Sequence, residues 1–259
     1  MQVDCKNIQV GYGESVVVED MSITIEKDKI TSIIGPNGSG KSTVLKAATR
    51  LLNYQKGEVI VKGKDIRRYK PKELSRCIGV LAQKHSAPAD FRVRELVSYG
   101  RMPHLKPLGG FSVKDNELVD EAMKTTNTYH LRDKSIFECS GGEAQRVWIA
   151  TVLAQNPEIL FLDEPTTYLD VSHQMEVMQM VKNLNKKTGV GIVMVLHDLG
   201  QALEVSDKII VIKDGKKYSE GTPAEVITPK MLKEVYGVEA DVIHLEGRQK
   251  PIIVYKELD

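Results

Sequence analysis

The stretch ITSIIGPNGSGKST, residues 30–43, decides the fold class of this 259-residue chain. Its first residues are typical of a short buried strand, and residues 35–42 then fit the pattern G-x-x-x-x-G-K-[ST] just before a predicted helix. Glycines in such a loop let backbone N–H groups close around phosphates without a Cβ in the way. The stretch therefore predicts a phosphate-binding loop in an α/β protein.

The helix that begins near Lys41 is expected to point the positive end of its dipole at the bound anion. The Lys41 ammonium would neutralise the β- and γ-phosphates, and the Ser42 hydroxyl would ligate Mg²⁺. The whole loop is predicted to contact the nucleotide, through Gly35, Pro36, Asn37, Gly38, Ser39, Gly40, Lys41, Ser42 and Thr43.

A second stretch, EILFLDEP at residues 158–165, supplies carboxylates after a buried strand. Asp163 at the strand end is placed to reach Mg²⁺. Glu164 follows directly and is placed to orient or deprotonate a water beside the γ-phosphate. A solvated acidic turn is the alternative, but the residues before it are almost wholly apolar and a Lys-Ser pair needs a metal partner.

A second glycine-rich helix start lies in FECSGGEAQR, residues 137–146. Ser140 and Glu143 form a predicted capping box. That box does not explain Gly141 and Gly142, because glycines in the first turn cost helix stability. An anion at the helix N-terminus would explain them. One nucleotide needs one phosphate loop, so the second site is expected to serve the nucleotide of a second, head-to-tail copy.

The remaining sequence predicts an α/β core that carries a helical insert over residues 91–155. The stretches at 30–35, 158–165 and 191–198 each contain a mostly apolar strand, which is typical of a parallel sheet covered on both faces. After Gly221 the pattern predicts short helices at 223–226 and 229–236 and weak strands. One helix is expected to pack its apolar face in the core, and that face is formed by Val171, Met175, Met178, Val181 and Leu184.

Composition excludes several classes of function. Lys and Arg total 36 against 35 Asp and Glu, so a net charge of +1 gives no basis for binding nucleic acid. Cys5, Cys77 and Cys139 are too widely spaced for a disulfide framework or a zinc site. The N-terminus does not resemble a signal peptide, and the longest apolar stretch is too short to span a bilayer. A membrane role would require a partner.

The stretches GPNGSGKST, LAQK, CSGGEAQR, ILFLDEP, TTYLD and VLHD occur in that order. From about Val3 to Gly237 the chain thereby resembles the ATP-binding subunit of ABC transporters. The resemblance implies a P-loop NTPase core with an antiparallel β subdomain and an inserted helical subdomain. It also implies an ATP-binding domain over residues 1–237, with the insert at about 91–155, and a small extension over 238–259.

The resemblance assigns further roles. Gln83 would contact Mg²⁺ and the attacking water, and Asp170 would lie at the seam of a homodimer that encloses two ATP molecules. His197 would contact the γ-phosphate, and Tyr12 would stack on adenine, although a surface tyrosine in a turn is a fair alternative. Cys139 departs from the family, since most members have Leu there.

Finer features at residues 93–112, 202–216 and 221–240 resemble the ATPases of importers for iron–siderophore complexes, haem and cobalamin. Pro103 is also expected to end a helix. This resemblance implies a multi-helix membrane permease, an extracytoplasmic substrate-binding protein and a place at the cytoplasmic face of the membrane.

Other functions stay open. One alternative is a soluble ABC-type ATPase in translation or DNA repair, but the chain has one cassette and no heptad run. Another is an importer or exporter of molybdate, metal or a further substrate. A GTPase is disfavoured, because residues 185–188 read Asn-Lys-Lys-Thr and lack the Asp of a guanine-binding motif.

Overall fold

The structure is a computed structural model that describes residues 2–88, 91–106, 109–243, 245 and 250–257. The chain forms two compact units, one of Met1–Arg67 with Val193–Asp259 and the other of Arg68–Ile192. The sequence-based division at residue 237 is not tested by this arrangement and stays a prediction. Residues 244, 246–249 and 258–259 of the predicted C-terminal extension lie outside the described residues.

The strands are numbered in chain order. They are β1 Gln2–Tyr12, β2 Ser15–Glu26, β3 Ile30–Ile34, β4 Lys56–Val61, β5 Lys64–Asp65, β6 Ile78–Leu81, β7 Ile159–Asp163, β8 Gly191–Val195, β9 Lys208–Lys213, β10 Lys216–Gly221, β11 Ala240–Ile243 and β12 Ile252–Tyr255.

The α-helices are α1 Lys41–Ala48, α2 Pro71–Ser75, α3 Val93–Ser98, α4 Val113–Thr125, α5 Gly141–Ala154, α6 Val171–Thr188, α7 Leu199–Val205, α8 Pro223–Val226 and α9 Pro229–Met231. Short 3₁₀ helices occupy Ile66–Arg68, Tyr99–His104, Tyr129–Leu131 and Ile136–Glu138, and a π turn covers Leu232–Tyr236. Within the described part of the chain, no helix is both long enough and apolar enough to cross a membrane.

The first unit contains an antiparallel sheet in the order β2-β1-β4-β5, whose inward side chains alternate with exposed ones along each strand. In the same unit β9 runs parallel to β3, and β10 returns antiparallel to β9. The Leu196 backbone N–H, just after β8, donates to the Ile33 carbonyl at 3.1 Å. The segments that follow β3 and β8 therefore leave from the same edge, where ligands of α/β sheets usually bind.

The second unit contains β6 parallel to β7, together with the helical insert that the sequence predicts. Apolar faces of α3, α4 and α5 pack around one core. It is formed by Val93, Leu96, Val97, Val119, Ala122, Met123, Leu131, Ile136, Val147, Ala150 and Ala154. The 3.6-residue period of these positions explains why each helix buries one stripe only.

The prediction that the apolar face of α6 packs in the core is wrong for the first residues of the helix. Met178, Val181 and Leu184 are buried, but Val171 is 71% exposed and Met175 is 69% exposed. The buried stripe begins at Val177. Periodicity identifies a helix face, but it does not say how far along that face the core extends.

The segment around Gly100 is shaped by contacts with the end of α5. A Cβ on Gly100 would lie 2.0 Å from the Thr151 carbonyl oxygen, so only glycine fits. The His104 ring Nε2 bonds the Gln155 carbonyl at 2.8 Å. Pro103 does not end the helix as expected. Helix α3 ends at Ser98, and a 3₁₀ turn carries the chain through Pro103, whose fixed φ suits that geometry. Residues 107–108 of this stretch lie outside the described residues.

Candidate functional site: a nucleotide-binding and hydrolysis site

The phosphate loop connects β3 to α1, as the sequence predicts. The N-cap of α1 is Gly40 at φ 100°, and no side chain of the described residues caps the helix. Backbone N–H groups in the first turn of a helix have no intrahelical acceptor. A helix start without a side-chain cap suits an anion, which the helix dipole also favours.

The loop is held against the turn between β9 and β10. The Gly215 N–H donates to the Ser39 carbonyl at 3.1 Å, and the Ser39 N–H donates to the Pro36 carbonyl at 3.2 Å. A Cβ on Gly35 would lie 2.0 Å from the Ile212 carbonyl oxygen, so the loop could not approach β9 with any larger residue there. These contacts fix the shape of the loop before any ligand binds.

Two polar side chains of this loop, those of Ser39 and Lys41, are buried. The Lys41 Nζ donates to the carbonyls of Gly35 at 3.0 Å and Pro36 at 2.8 Å, and Lys41 is buried. The buried Ser39 Oγ has no hydrogen-bond partner among the described residues. A buried hydroxyl without a partner costs free energy. A buried cation, an orphaned hydroxyl and an uncapped helix start together fit a bound phosphate chain.

The carboxylates of residues 163 and 164 lie in the second unit. Asp163 is the last residue of β7 and is buried, while Glu164 adopts a left-handed backbone conformation with φ 55°. A non-glycine residue in that region is strained, and such strain is concentrated at functional sites.

Two side chains orient the Glu164 carboxylate. The Gln83 Nε2 donates to Glu164 Oε2 at 2.6 Å, and the Thr167 Oγ1 donates to the same oxygen at 3.1 Å. The structure thus brings together Gln83 and Glu164, which are 81 residues apart in the chain. A carboxylate fixed in this way can accept a proton from a positioned water.

The second glycine-rich start has the predicted capping box. The Glu143 N–H donates to Ser140 Oγ at 3.3 Å, and the Ser140 N–H donates to Glu143 Oε2 at 2.8 Å. That backbone donor is the main reason why the pKa of Glu143 is lowered. The backbone N–H groups of Ser140 and Glu143 are therefore satisfied by the side chains of this helix start.

Packing gives Gly142 a reason to be glycine that the sequence argument did not contain, and its contact with a nucleotide stays a prediction. A Cβ at Gly142 would lie 2.2 Å from Cδ2 and 2.6 Å from Cγ of the His173 ring, so packing alone requires glycine there. At Gly141 the closest group is Leu169 Cδ2 at 3.6 Å, an ordinary contact. The anion site at Ser140, Gly141, Gly142 and Glu143 stays a prediction.

Asp170 is the N-cap of α6 and accepts the His173 N–H at 2.9 Å. Its carboxylate also bonds the Ser172 hydroxyl at 2.9 Å and the His173 Nδ1 at 2.9 Å. These hydrogen bonds lower the pKa of Asp170 to about 2. The backbone N–H of His173 has the largest effect, and the side chains of Ser172 and His173 add to it. Asp170 therefore stays ionised at neutral pH.

Tyr12 and His197 lie in the first unit with the phosphate loop. Tyr12 ends β1 beside a tight turn and is half-exposed, which would leave its ring free to stack. His197 is exposed, directly after β8 and one residue past the contact between Leu196 and Ile33. Their roles toward a nucleotide stay predictions.

Cys139, the departure from the family pattern, is half-buried. Burial, and then the charge of Glu143, raise the pKa of its thiol, and its Sγ donates weakly to the Ser135 carbonyl at 3.7 Å. The thiol is protonated at neutral pH and acts as a small apolar group.

Sequence reasoning missed Thr167 and His173. Thr167 lies three residues after Glu164, and His173 lies three residues after Asp170. The second spacing is the one that an N-cap aspartate uses to bond the third helical residue, so it could have indicated the Asp170–His173 pair. Nothing in the sequence indicated the contact between His173 and Gly142.

Several known proteins resemble this chain in sequence and in fold. The sequence profile of the ABC transporter family matches residues 18–167. The iron(3+)-hydroxamate import ATP-binding protein FhuC of Bacillus subtilis is 42% identical over 98% of this chain and 94% of the relative. The ferric enterobactin transport ATP-binding protein FepC of Escherichia coli is 40% identical over 96% of this chain and 92% of the relative.

Solved structures have the same fold. A dimeric ATP-binding cassette in a post-hydrolysis state, bound to ADP and Pi, superposes with a TM-score of 0.72 at 30% identity. The superposition covers 85% of this chain and 98% of that chain.

Proposed function

The chain belongs to the ABC transporter family and has the ABC ATPase fold, and we propose that it is the ATP-hydrolysing subunit that powers an importer. The observation that carries the proposal is the identity of about 40% over nearly the full chain with two ATP-binding proteins of iron import and ferric enterobactin transport. Those names favour an iron–siderophore complex as cargo over haem or cobalamin.

In this proposal ATP binds first to the phosphate loop. The backbone of residues 35–43 and the Lys41 ammonium hold the phosphates, and the orphaned Ser39 hydroxyl gains a partner. Tyr12 stacks on adenine, and His197 contacts the γ-phosphate. Ser42, Gln83 and Asp163 are the proposed Mg²⁺ ligands, and the ion would neutralise charge on the terminal phosphates.

Glu164 is the proposed general base. Its carboxylate is already oriented by Gln83 and Thr167, so it can accept a proton from the attacking water without rearranging. Gln83 is proposed to link this carboxylate to the state of the membrane partner.

Two copies are proposed to enclose two ATP molecules, as the dimeric form of the similar cassette suggests. The helix start at residues 140–143 then binds the partner's nucleotide, and Asp170 lies at the seam. Closure of the dimer drives a multi-helix permease through the helical insert of residues 91–155. A substrate-binding protein delivers the cargo outside, and the chain works at the cytoplasmic face of the membrane.

The deciding experiment is a pull-down of the tagged full chain from gently solubilised native membranes, with mass spectrometry of the proteins that co-purify. A multi-helix permease, together with a substrate-binding protein encoded for the same system, would support the proposal. Ribosomal or DNA-repair proteins without any membrane protein would overturn it and favour a soluble ATPase.

The variant Glu164→Gln tests the proposed base. We expect it to bind ATP and dimerise, and to hydrolyse ATP at least about 100-fold more slowly, because an amide cannot accept the proton. Steady-state phosphate release and analytical ultracentrifugation measure both effects. The exposed Glu121→Gln on α4 is the control and should behave as the wild type. Hydrolysis by Glu164→Gln near the wild-type rate would remove Glu164 from this role.

A further inference from the structure

The first turns of α5 and α6 touch at Gly142 and His173. The imidazole lies so close to the Gly142 backbone that an added Cβ would overlap its Cδ2 and Cγ, at 2.2 and 2.6 Å. Side-chain Cβ atoms do not approach other heavy atoms that closely. The glycine therefore fits this ring, and the ring lies against the backbone that follows Ser140 and Gly141.

The position of the His173 ring is set by Asp170. Its Nδ1 lies 2.9 and 3.0 Å from the two carboxylate oxygens, so Nδ1 carries the proton that it donates. The His173 backbone N–H donates to the same carboxylate at 2.9 Å. The pair is partly exposed, so its charge adds little stability. What the contact provides is a fixed ring orientation.

A second contact one turn along reinforces the first. The buried Arg146 guanidinium donates to the Glu176 carboxylate. Arg146 lies four residues after Gly142 in α5, and Glu176 lies three residues after His173 in α6, so both contacts join the same two helix faces. Leu169, in the turn before Asp170, is the nearest group to Gly141, with its Cδ2 3.6 Å from where a Cβ on Gly141 would lie.

We propose that His173 is a positioning residue that joins residues 140–142 to Asp170, so that the two segments move as one body. The inference rests on the proposed function, in which both segments meet the partner copy and its nucleotide. His173 contacts both Asp170 and Gly142. A displacement of Asp170 at the dimer seam would therefore be transmitted through the His173 ring to the helix start that carries Ser140. His173 itself touches no nucleotide in this arrangement.

The first test compares His173→Ala, His173→Asn and Gln179→Ala in the full chain, by steady-state ATP hydrolysis and thermal unfolding. We expect His173→Ala to lower kcat about 10- to 100-fold with little change in KM, because ATP binds the phosphate loop of its own copy and only the closed state is misaligned. An asparagine amide at this position can still donate to Asp170, so His173→Asn should restore most of the rate. Gln179 is exposed on the same helix, and its variant should match the wild type.

Two outcomes overturn the inference while the proposed function stands. One is wild-type hydrolysis by His173→Ala. The other is a loss of rate that parallels a loss of thermal stability and is not restored by His173→Asn. By contrast, a wild-type chain that hydrolyses no ATP would overturn the proposed function itself.

A second test introduces Gly142→Ala with and without His173→Ala. In the wild-type background the new methyl group collides with the ring, whereas in His173→Ala the two ring atoms are removed and the Cβ of residue 173, at 3.0 Å, remains. We expect the double variant to be more active than the product of the two single effects predicts. If Gly142→Ala lowers the rate by the same factor in both backgrounds, the glycine acts only at the nucleotide and the proposed role of His173 is wrong.

Discussion

The two glycine-rich helix starts of this chain are built in opposite ways. At the start of α1, Gly40 provides no cap and the Ser39 hydroxyl is buried without a partner among the described residues. At the start of α5, Ser140 and Glu143 cap each other, and a histidine ring fills the space beside Gly142. Two helix starts with similar residues therefore have different hydrogen bonding.

This difference indicates how each helix start would obtain its affinity for a nucleotide. The first start has no side-chain cap, and its buried Ser39 hydroxyl has no partner among the described residues, so it is expected to bind a nucleotide in a single copy. At the second start Ser140 and Glu143 satisfy each other's backbone N–H groups, so we expect it to bind a free nucleotide more weakly. It is expected to act on a nucleotide that another surface has already placed.

The largest expected effect comes from Ser140→Arg. A long cation in place of the small hydroxyl should block the approach of a second copy and abolish turnover, while ATP binding by the monomer stays within about twofold. Phosphate release and titration of a fluorescent nucleotide at low protein concentration measure the two quantities. An equal loss of monomer affinity would mean that residues 140–143 bind the nucleotide of their own copy, and the contrast between the two starts would fail.

A smaller loss is expected from Lys41→Ala. Removing one charged hydrogen-bond donor costs about 1.5–3 kcal/mol, so monomer affinity for ATP should fall roughly 10- to 150-fold. Lys46→Ala, in the last turn of the same helix, removes an equal charge and should bind normally. The same titration compares them, and equal losses in both variants would reduce the role of Lys41 to general electrostatics.

The C-terminal end of α5, unlike its start, is stabilised by a buried ion pair. Arg101 donates to the Ala154 carbonyl at 2.8 Å and to Asp115 at 2.9 Å, and both side chains are buried. The Ser112 hydroxyl, then the Ser112 N–H and Arg101, lower the pKa of Asp115 to about 2.

Asp115→Asn should therefore lower the free energy of unfolding by about 1–2 kcal/mol near pH 6. The folded pKa lies below the unfolded value, so this contribution is complete above about pH 4–5 and disappears as the pH falls toward 2. Urea unfolding across this range measures the difference. The exposed Asp133→Asn should stay within about 0.5 kcal/mol of the wild type. A difference for Asp115→Asn that does not shrink in acid would mean that shape, not charge, is what Asp115 contributes.

The smallest effect is expected from Ser140→Ala. Loss of the cap hydroxyl should lower the free energy of unfolding by about 1 kcal/mol. ATP should still raise the melting temperature as it does for the wild type, since ligand stabilisation depends on the first start. Thermal unfolding with and without ATP measures both values. If ATP no longer stabilises Ser140→Ala, the second start contributes to binding in the single copy.

Much of the fold was predictable because its signals are local. The strand, the loop and helix α1 follow one another within residues 30–48, so hydrophobicity, glycine spacing and a single lysine identify them. The capping box at Ser140 and Glu143 is equally local. Six ordered motifs extended these signals to a family, which the comparisons confirm.

Long-range contacts explain what was missed. Val171 and Met175 have the right helical spacing to be buried, yet they lie beyond the end of the core. The Gly100 segment reads as a helix terminus, whereas its shape comes from the Thr151 carbonyl of α5. Neither sequence window contains the atoms that decide the outcome.

The sequence alone identified a glycine-rich loop between a strand and a helix, two acidic residues after a buried strand and a second, capped glycine-rich helix start. Each depends on backbone donors and side chains within a few residues of one another. The packing of Gly142 and the hydrogen bond that orients the Glu164 carboxylate are visible only in the tertiary structure. Both depend on His173 and Gln83, which lie 31 and 81 residues away along the chain and are brought into contact by packing.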